Sequence, residues 1–221
     1  NLLTRFGQIV YLFFLVTPPA ALVERAWLRG LDVGRYKAID DTLAHAVEAY
    51  SGMPQLFFTW IARTEKRVHF EFLDNTAPRG APPRTAAFGW NDSLTVLDVS
   101  ILIDIERFRK VNIDARSPAE LYAGPGIVAP ANNTGILSTC VARFREVNFA
   151  DQATGRVYLR VERGVAVWSD ANALQRAIED PDTRAGLMAA VPAAIAGSLP
   201  APAGPQTVVD CEHVHTVGAW G

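Results

Sequence analysis

The residues best suited to chemistry lie near the end of the chain, where Cys211, His213 and His215 occupy alternate positions. Successive side chains of a β-strand point to opposite faces, so these three would project from one face of a strand. Two imidazoles and a thiolate are ligands that zinc and copper accept. We therefore treat them as candidate metal ligands, with His69 as a further ligand if its strand is a neighbour. The alternative is a surface strand that faces solvent or a partner.

The chain contains two cysteines, Cys140 and Cys211, and no Cys-x-x-Cys pair. A disulfide between them would require an oxidising compartment, and it would contribute about 4 to 5 kcal/mol in the chain-entropy model. It would also remove Cys211 from the metal ligands. No Gly-x-Ser-x-Gly motif and no glycine-rich phosphate loop occurs, so we predict no catalytic residues and no cofactor other than the alternative zinc or copper.

Composition limits the classes of function. The 221 residues carry a net charge of −2, and 49% of them are hydrophobic. A nucleic-acid-binding domain would show a basic stripe, and a disordered chain would lack this apolar content. We therefore expect a folded protein that does not bind nucleic acid.

The N-terminal segment, residues 1–30, contains an uncharged run from Phe6 to Val23. A bilayer-spanning helix needs about 20 apolar residues, so this run is near the lower limit, and Pro18 and Pro19 would end or kink a helix near Thr17. A signal peptide and a buried helix of a soluble core are the alternatives. We expect a hydrophobic N-terminal helix that spans the membrane once.

The elements after this segment follow from periodicity. Apolar residues recur at helical spacing from Ile39 to Tyr50, and a Ser-Gly pair with Pro54 is expected to end that helix. Aromatic and β-branched runs predict strands, with His69 and Glu71 pointing outward from theirs. The predicted strands are 55–63, 67–74, one long or two shorter strands in 93–105, and three strands in 135–149 and 156–169. A helical tail follows, capped by Ser169 or Asp170, with a second helix opened by Pro181.

This order of elements predicts an α+β fold, in which flanking helices pack on a mainly antiparallel sheet. We divide the chain into the N-terminal helix or anchor at 1–30, an α+β domain at 31–198, and a Pro/Ala linker with a final strand at 199–221. No internal repeat is evident in the sequence.

The leading hypothesis from sequence is a single-pass, membrane-anchored accessory subunit that contacts other membrane protein subunits and the lipid bilayer. The alternative is a metal-binding protein or metal-dependent enzyme that uses the Cys-x-His-x-His strand. Positive charges after the apolar run favour a cytoplasmic domain, whereas two glycosylation sequons and a disulfide would favour the other side. We place the domain on the extracytoplasmic side.

Overall fold

The computed structural model describes residues 9–78 and 80–195. Its strands are β1 (Ile9–Val16), β2 (Arg67–Asp74), β3 (Arg84–Trp90), β4 (Ser93–Val96), β5 (Glu146–Ala150), β6 (Val157–Glu162) and β7 (Val165–Trp168). Its α-helices are α1 (Pro19–Val33), α2 (Ile39–Ile61), α3 (Val99–Phe108), α4 (Pro125–Val128), α5 (Gly135–Arg143), α6 (Ala171–Ala177), α7 (Pro181–Ala190) and α8 (Pro192–Ile195). Short 3-10 helices cover Pro118–Glu120 and Pro130–Asn132.

The seven strands form one mixed sheet in the order β1-β2-β3-β4-β5-β6-β7. Two neighbouring pairs, β1 with β2 and β4 with β5, are parallel because helices connect their members. The other pairs are antiparallel. The predicted α+β class with flanking helices is therefore confirmed, and the sheet is mixed.

The N-terminal prediction is wrong in its secondary structure, because Ile9–Val16 is a strand that pairs along its whole length with β2. The helix begins only at Pro19, where a proline fits the first turn and its missing N–H leaves no hydrogen bond broken. Among the residues that the structure describes, no helix combines the length and apolar content needed to cross a bilayer.

The strands after β1 form two copies of one unit, a three-stranded meander followed by a helix. The first unit is β2-β3-β4-α3 and the second is β5-β6-β7-α6. Each contains a register shift at the end of its first strand, after Phe72 in one and after Phe149 in the other. The units share their strand order, pairing direction and the position of the register shift, while few side chains correspond, so the sequence shows no repeat.

The corresponding turns of the two units make the same hydrogen bonds. The carbonyl of Ala86 accepts from two successive amides at the end of β4, and the carbonyl of Tyr158 does the same at the end of β7. The next helix then begins at an aspartate cap, Asp98 in the first unit and Asp170 in the second. Asp98 accepts from the amide of Ser100, so each meander leads directly into a capped helix.

Helices replace three of the predicted strand segments. Helix α2 continues through Pro54 to Ile61, so residues 55–63 are mainly helical and not a strand. Only Ser93–Val96 of the predicted strand 93–105 is extended, and α3 occupies the remainder after Asp98. Residues 135–143 are helical too. The strands at 67–74 and 156–169 and the helix capped by Asp170 are confirmed.

The main core lies between the helices and one face of the sheet. Phe57 of α2 has no exposed surface and packs edge-on against Phe70 and Phe72 of β2. Residues that alternate with these point to the opposite face. The described part of that face carries a small apolar cluster without helical members, formed by Leu97, Ala150, Val157 and the partly buried Phe88. We call it the helix-free face.

Candidate functional sites

The predicted metal ligands Cys211, His213 and His215 lie outside the described residues, so the metal strand remains a prediction. The further candidate ligand, His69, lies within the described residues, on β2. Within 9–78 and 80–195, no three His, Cys, Asp or Glu side chains are close enough to hold a metal ion together. Cys140, the other half of the predicted disulfide, has no exposed surface and packs in the main core.

His69 and Glu71 form a buried pair on the helix-free face. The distance between His69 Nε2 and Glu71 Oε1 is 3.0 Å, and the Glu71 side chain is fully buried. The ring of His69 lies between Tyr11, at a centroid distance of 5.6 Å, and Trp90, at 4.8 Å. Its Nδ1 atom has no hydrogen-bond partner among the described residues.

This pair resembles the base and orienting carboxylate of a hydrolase, but its surroundings do not supply the other parts. The Thr85 hydroxyl donates to Glu71 Oε2 over 3.4 Å, so it contacts the carboxylate and not the imidazole. A nucleophile would have to contact the imidazole. Both residues of the pair lie on β2, and the Thr85 contact links Glu71 to β3. Among the described residues, no nucleophile is hydrogen-bonded to the imidazole.

A different surface is exposed beside this pair, on the outer strand of the sheet. Four apolar side chains of β1 alternate with buried or half-buried ones and point to the helix-free face, and each is between 38% and 51% exposed. They are Ile9, Tyr11, Phe13 and Leu15. Among the described strands β1 pairs only with β2, so one edge of its backbone has no partner strand there. We call this edge and its four side chains the β1 edge.

The β1 edge lacks the features that usually protect an outer strand. Natural edge strands are short, or carry charges, prolines or bulges that prevent another chain from pairing with them. The eight residues of β1 contain no charge, no proline and no register shift. Among the described strands, β7 lies at the other end of the sheet; it has four residues and follows directly on Glu162, Arg163 and Gly164.

A second site is a cleft at the carboxyl ends of β4 and β5. It has a volume of about 520 Å³ and lies between the beginnings of α3 and α7 and the end of α6. Here β4 continues into α3, whereas the adjacent parallel strand β5 turns back into β6. Ligands of α/β sheets often bind where neighbouring parallel strands lead in different directions, and the volume is within the usual range of small-molecule sites.

The cleft is predominantly acidic. Its charged lining consists of three aspartates and one arginine: Asp98, Asp151, Asp180 and Arg176. Tyr158 also lines the cleft, although only 5% of this residue is exposed. Burial raises the pKa of its hydroxyl above the usual value, and the negative charges of the three aspartates raise it further. The hydroxyl is therefore protonated and lies in a negative potential.

Sequence reasoning missed both sites. The alternation of buried and exposed positions in β1 is invisible in the sequence because both sets are apolar. For the cleft a signal did exist, since Asp98 precedes a helix and Asp180 precedes Pro181, which is the pattern of a cap followed by a first turn. What the sequence lacks is any sign that the two caps line one cleft.

The chain has no significant match among models of protein families, among curated proteins or among solved structures.

Proposed function

We propose that this protein is an assembly subunit that docks through the β1 edge, and that the partner at this edge is a second copy of the chain. The observation that carries the proposal is that β1, the outermost of the described strands on its side of the sheet, has eight uncharged residues and four exposed apolar side chains. A strand of this kind is a template for pairing with another strand. The proposal retains the interaction role that the sequence led us to expect, and it assigns that role to a β-strand.

A second copy fits this edge because β1 is complementary to itself. In an antiparallel pair, residues directly opposite each other share a face of the sheet. If a two-fold axis passes through Leu12, Tyr11 lies opposite Phe13 of the other copy and Ile9 lies opposite Leu15. All four exposed side chains then find an apolar partner, and the contact closes as a symmetric dimer.

The absence of charge on β1 also supports a symmetric contact. A partner of different sequence is often selected by complementary charges, which steer the encounter and fix the register. The β1 edge offers none, so register would be set by aromatic and aliphatic cross-strand pairs, which contribute about 0.2 to 1 kcal/mol each. The aromatic pairs of Tyr11 with Phe13 would contribute most near the axis.

Size-exclusion chromatography with light scattering tests this proposal, with the wild type compared to Phe13→Lys. We expect a wild-type dimer and a folded Phe13→Lys monomer, because two lysine ammonium groups would lie near the axis. The control is Val165→Lys on the opposite edge of the sheet, where Val165 is 65% exposed, and it should remain dimeric. Circular dichroism checks that each variant is folded.

Hydrogen exchange then locates the contact. Amides of β1 that point away from β2 should be protected in the wild type and exchange rapidly in Phe13→Lys. A wild type that is monomeric at all concentrations would contradict the proposal. So would a monomer that floats with phosphatidylcholine vesicles and loses this ability in Phe13→Lys, which would support the lipid contact expected from sequence.

A further inference from the structure

The acidic cleft has free hydrogen-bond acceptors that indicate a ligand site, independently of the β1 edge. Each of its aspartates uses one carboxylate oxygen for a local hydrogen bond, at a turn or at the start of a helix. Asp151 Oδ1 accepts from the amide and hydroxyl of Thr154, and Asp180 Oδ2 accepts from the amide of Thr183. The second oxygens, Asp151 Oδ2 and Asp180 Oδ1, accept no hydrogen bond from the other described residues, so each can receive a donor from a ligand.

The third aspartate is partly compensated. Asp98 Oδ1 caps α3 through Ser100, and its Oδ2 lies 3.7 Å from a guanidinium nitrogen of Arg84. This distance is at the limit of an ion pair, and Arg84 also contacts Asp74 at 2.9 Å. Asp98 therefore contributes to the negative potential of the cleft, while Asp151 and Asp180 keep the free acceptor atoms.

Tyr158 gives an independent indication of a ligand. It is more than nine-tenths buried and lines the cleft, and its hydroxyl forms no hydrogen bond with another described residue. The oxygen itself keeps some accessible surface, because the fully buried polar side-chain atoms without a partner among the described residues are His69 Nδ1 and Arg107 Nε. The hydroxyl is not required by the fold, because the corresponding position of the first unit, with the same pair of backbone hydrogen bonds, is Ala86. A polar group that the repeat does not need, without a partner inside a cleft, is suited to contact a ligand.

The arrangement favours an organic cation over a metal ion. No three acidic side chains of the described residues converge closely enough to coordinate one metal, yet three of them line one cleft of about 520 Å³. The lining also contains apolar groups that can contact a hydrocarbon stem, among them Leu97, Ala150 and Ala173. Dispersed carboxylates with apolar surface between them match an aliphatic chain with positive charges at its ends.

We propose that this cleft binds an aliphatic diamine, with its ammonium groups donating to the free oxygens of Asp151 and Asp180 and with the Tyr158 hydroxyl oxygen as a further acceptor. The stem lies along the apolar lining of the cleft. Arg176, which is exposed at the end of α6, is a competing cation at the same carboxylates.

Isothermal titration calorimetry of the whole chain with 1,4-diaminobutane tests the proposal, with n-butylamine and succinate as comparison ligands. We expect the diamine to bind more tightly than the monoamine, and succinate not to bind. Asp151→Asn and Asp180→Asn keep a capping oxygen but lose the charge, so each should weaken diamine binding about tenfold. Tyr158→Phe should weaken it several-fold, and raised salt should weaken it in the wild type.

Two further variants test the competing cation and control for the loss of a charge outside the cleft. Arg176→Gln removes the competing cation from an exposed position and should tighten diamine binding. Asp114→Asn changes an exposed aspartate outside the cleft and should leave binding unchanged. Equal affinity of the wild type and Asp151→Asn would overturn the proposal. Preferential binding of succinate would also overturn it, and so would the absence of diamine binding in both the wild type and Arg176→Gln.

Discussion

His69 Nε2 and Glu71 Oε1 lie 3.0 Å apart on the helix-free face, although the two residues are separated along β2 by only one position. Side chains two positions apart in a strand share a face, so their contact follows from the strand itself. Their burial does not, because it depends on the rings of Tyr11 and Trp90 from the strands on either side. The pair is a local contact that neighbouring strands have enclosed.

We predict that the two residues of this pair stabilise the fold only together. His69→Leu leaves the Glu71 carboxylate buried, with Thr85 at 3.4 Å as its remaining side-chain contact, and should lower the free energy of unfolding by about 3 to 5 kcal/mol. The double replacement His69→Leu with Glu71→Leu removes both polar groups and should recover much of this loss. Urea unfolding of the two single variants and the double variant measures the coupling, and simple additivity would contradict the prediction.

A second prediction concerns Asp104 on α3, whose pKa burial raises from its usual value of 3.8 to about 6. The guanidinium of Arg107 opposes this shift, and the carboxylate of Asp182 adds to it. A pKa that is higher in the folded state means that the folded protein binds the proton more tightly. The stability from this group is therefore fully present below pH 3.8 and is lost as the pH rises through 6.

Asp104→Asn, which imitates the protonated form, should remove this pH dependence. The difference in the free energy of unfolding between the wild type and this variant should change by about 2 kcal/mol between about pH 4 and about pH 7, in the direction that favours the variant at the higher pH. Asp114→Asn at an exposed aspartate serves as the control. A constant difference across this pH range would show that Asp104 titrates normally.

The period-2 pattern of β2 predicted the orientation of His69 and Glu71 but not their burial. Alternation assigned Phe70 and Phe72 correctly to the helix-covered side, and it placed the polar residues correctly on the other. It could not predict that both polar residues are buried, because β1 lies next to β2 in the sheet only after two helices. That neighbour comes from tertiary structure, which the local pattern does not contain.

For helix α3, the sequence pattern predicted the wrong secondary structure. Its residues Val99, Ile101, Ile103 and Ile105 are β-branched, so the sequence predicted a strand. In the fold they are buried in a helix, where packing in the core outweighs the small helix penalty of β-branched residues. The cap at Asp98 was the local sign of the helix. Likewise, Pro54 did not end α2, because tertiary packing of Phe57 and Ile61 continues the helix beyond it.

A third prediction is that the Cys140 thiol does not react with thiol reagents in the native protein. Its thiol has no exposed surface, and burial raises its pKa, so almost no thiolate is available to react. In a Cys211→Ser background, labelling by a disulfide reagent should be as slow as global unfolding and should become fast in urea.

Met188→Cys provides the matched control for this labelling, because Met188 on α7 is 55% exposed. A cysteine there should react rapidly in native buffer. Rapid native labelling of Cys140 itself would contradict the burial and would favour its availability for the disulfide considered from sequence.

The last prediction concerns the end of β1, which Tyr50 of α2 fixes to the helical layer. The Tyr50 hydroxyl donates to the Thr17 carbonyl at 2.6 Å and accepts from the Thr17 amide at 2.8 Å. Tyr50→Phe would leave both buried backbone groups without this partner, so we expect a loss of about 2 to 4 kcal/mol in the free energy of unfolding. Tyr36→Phe, at a tyrosine that is 58% exposed, should change stability by less than about 0.5 kcal/mol. Hydrogen exchange should show the loss first in β1, and an unchanged exchange rate there would mean that the strand is held by its pairing with β2 alone.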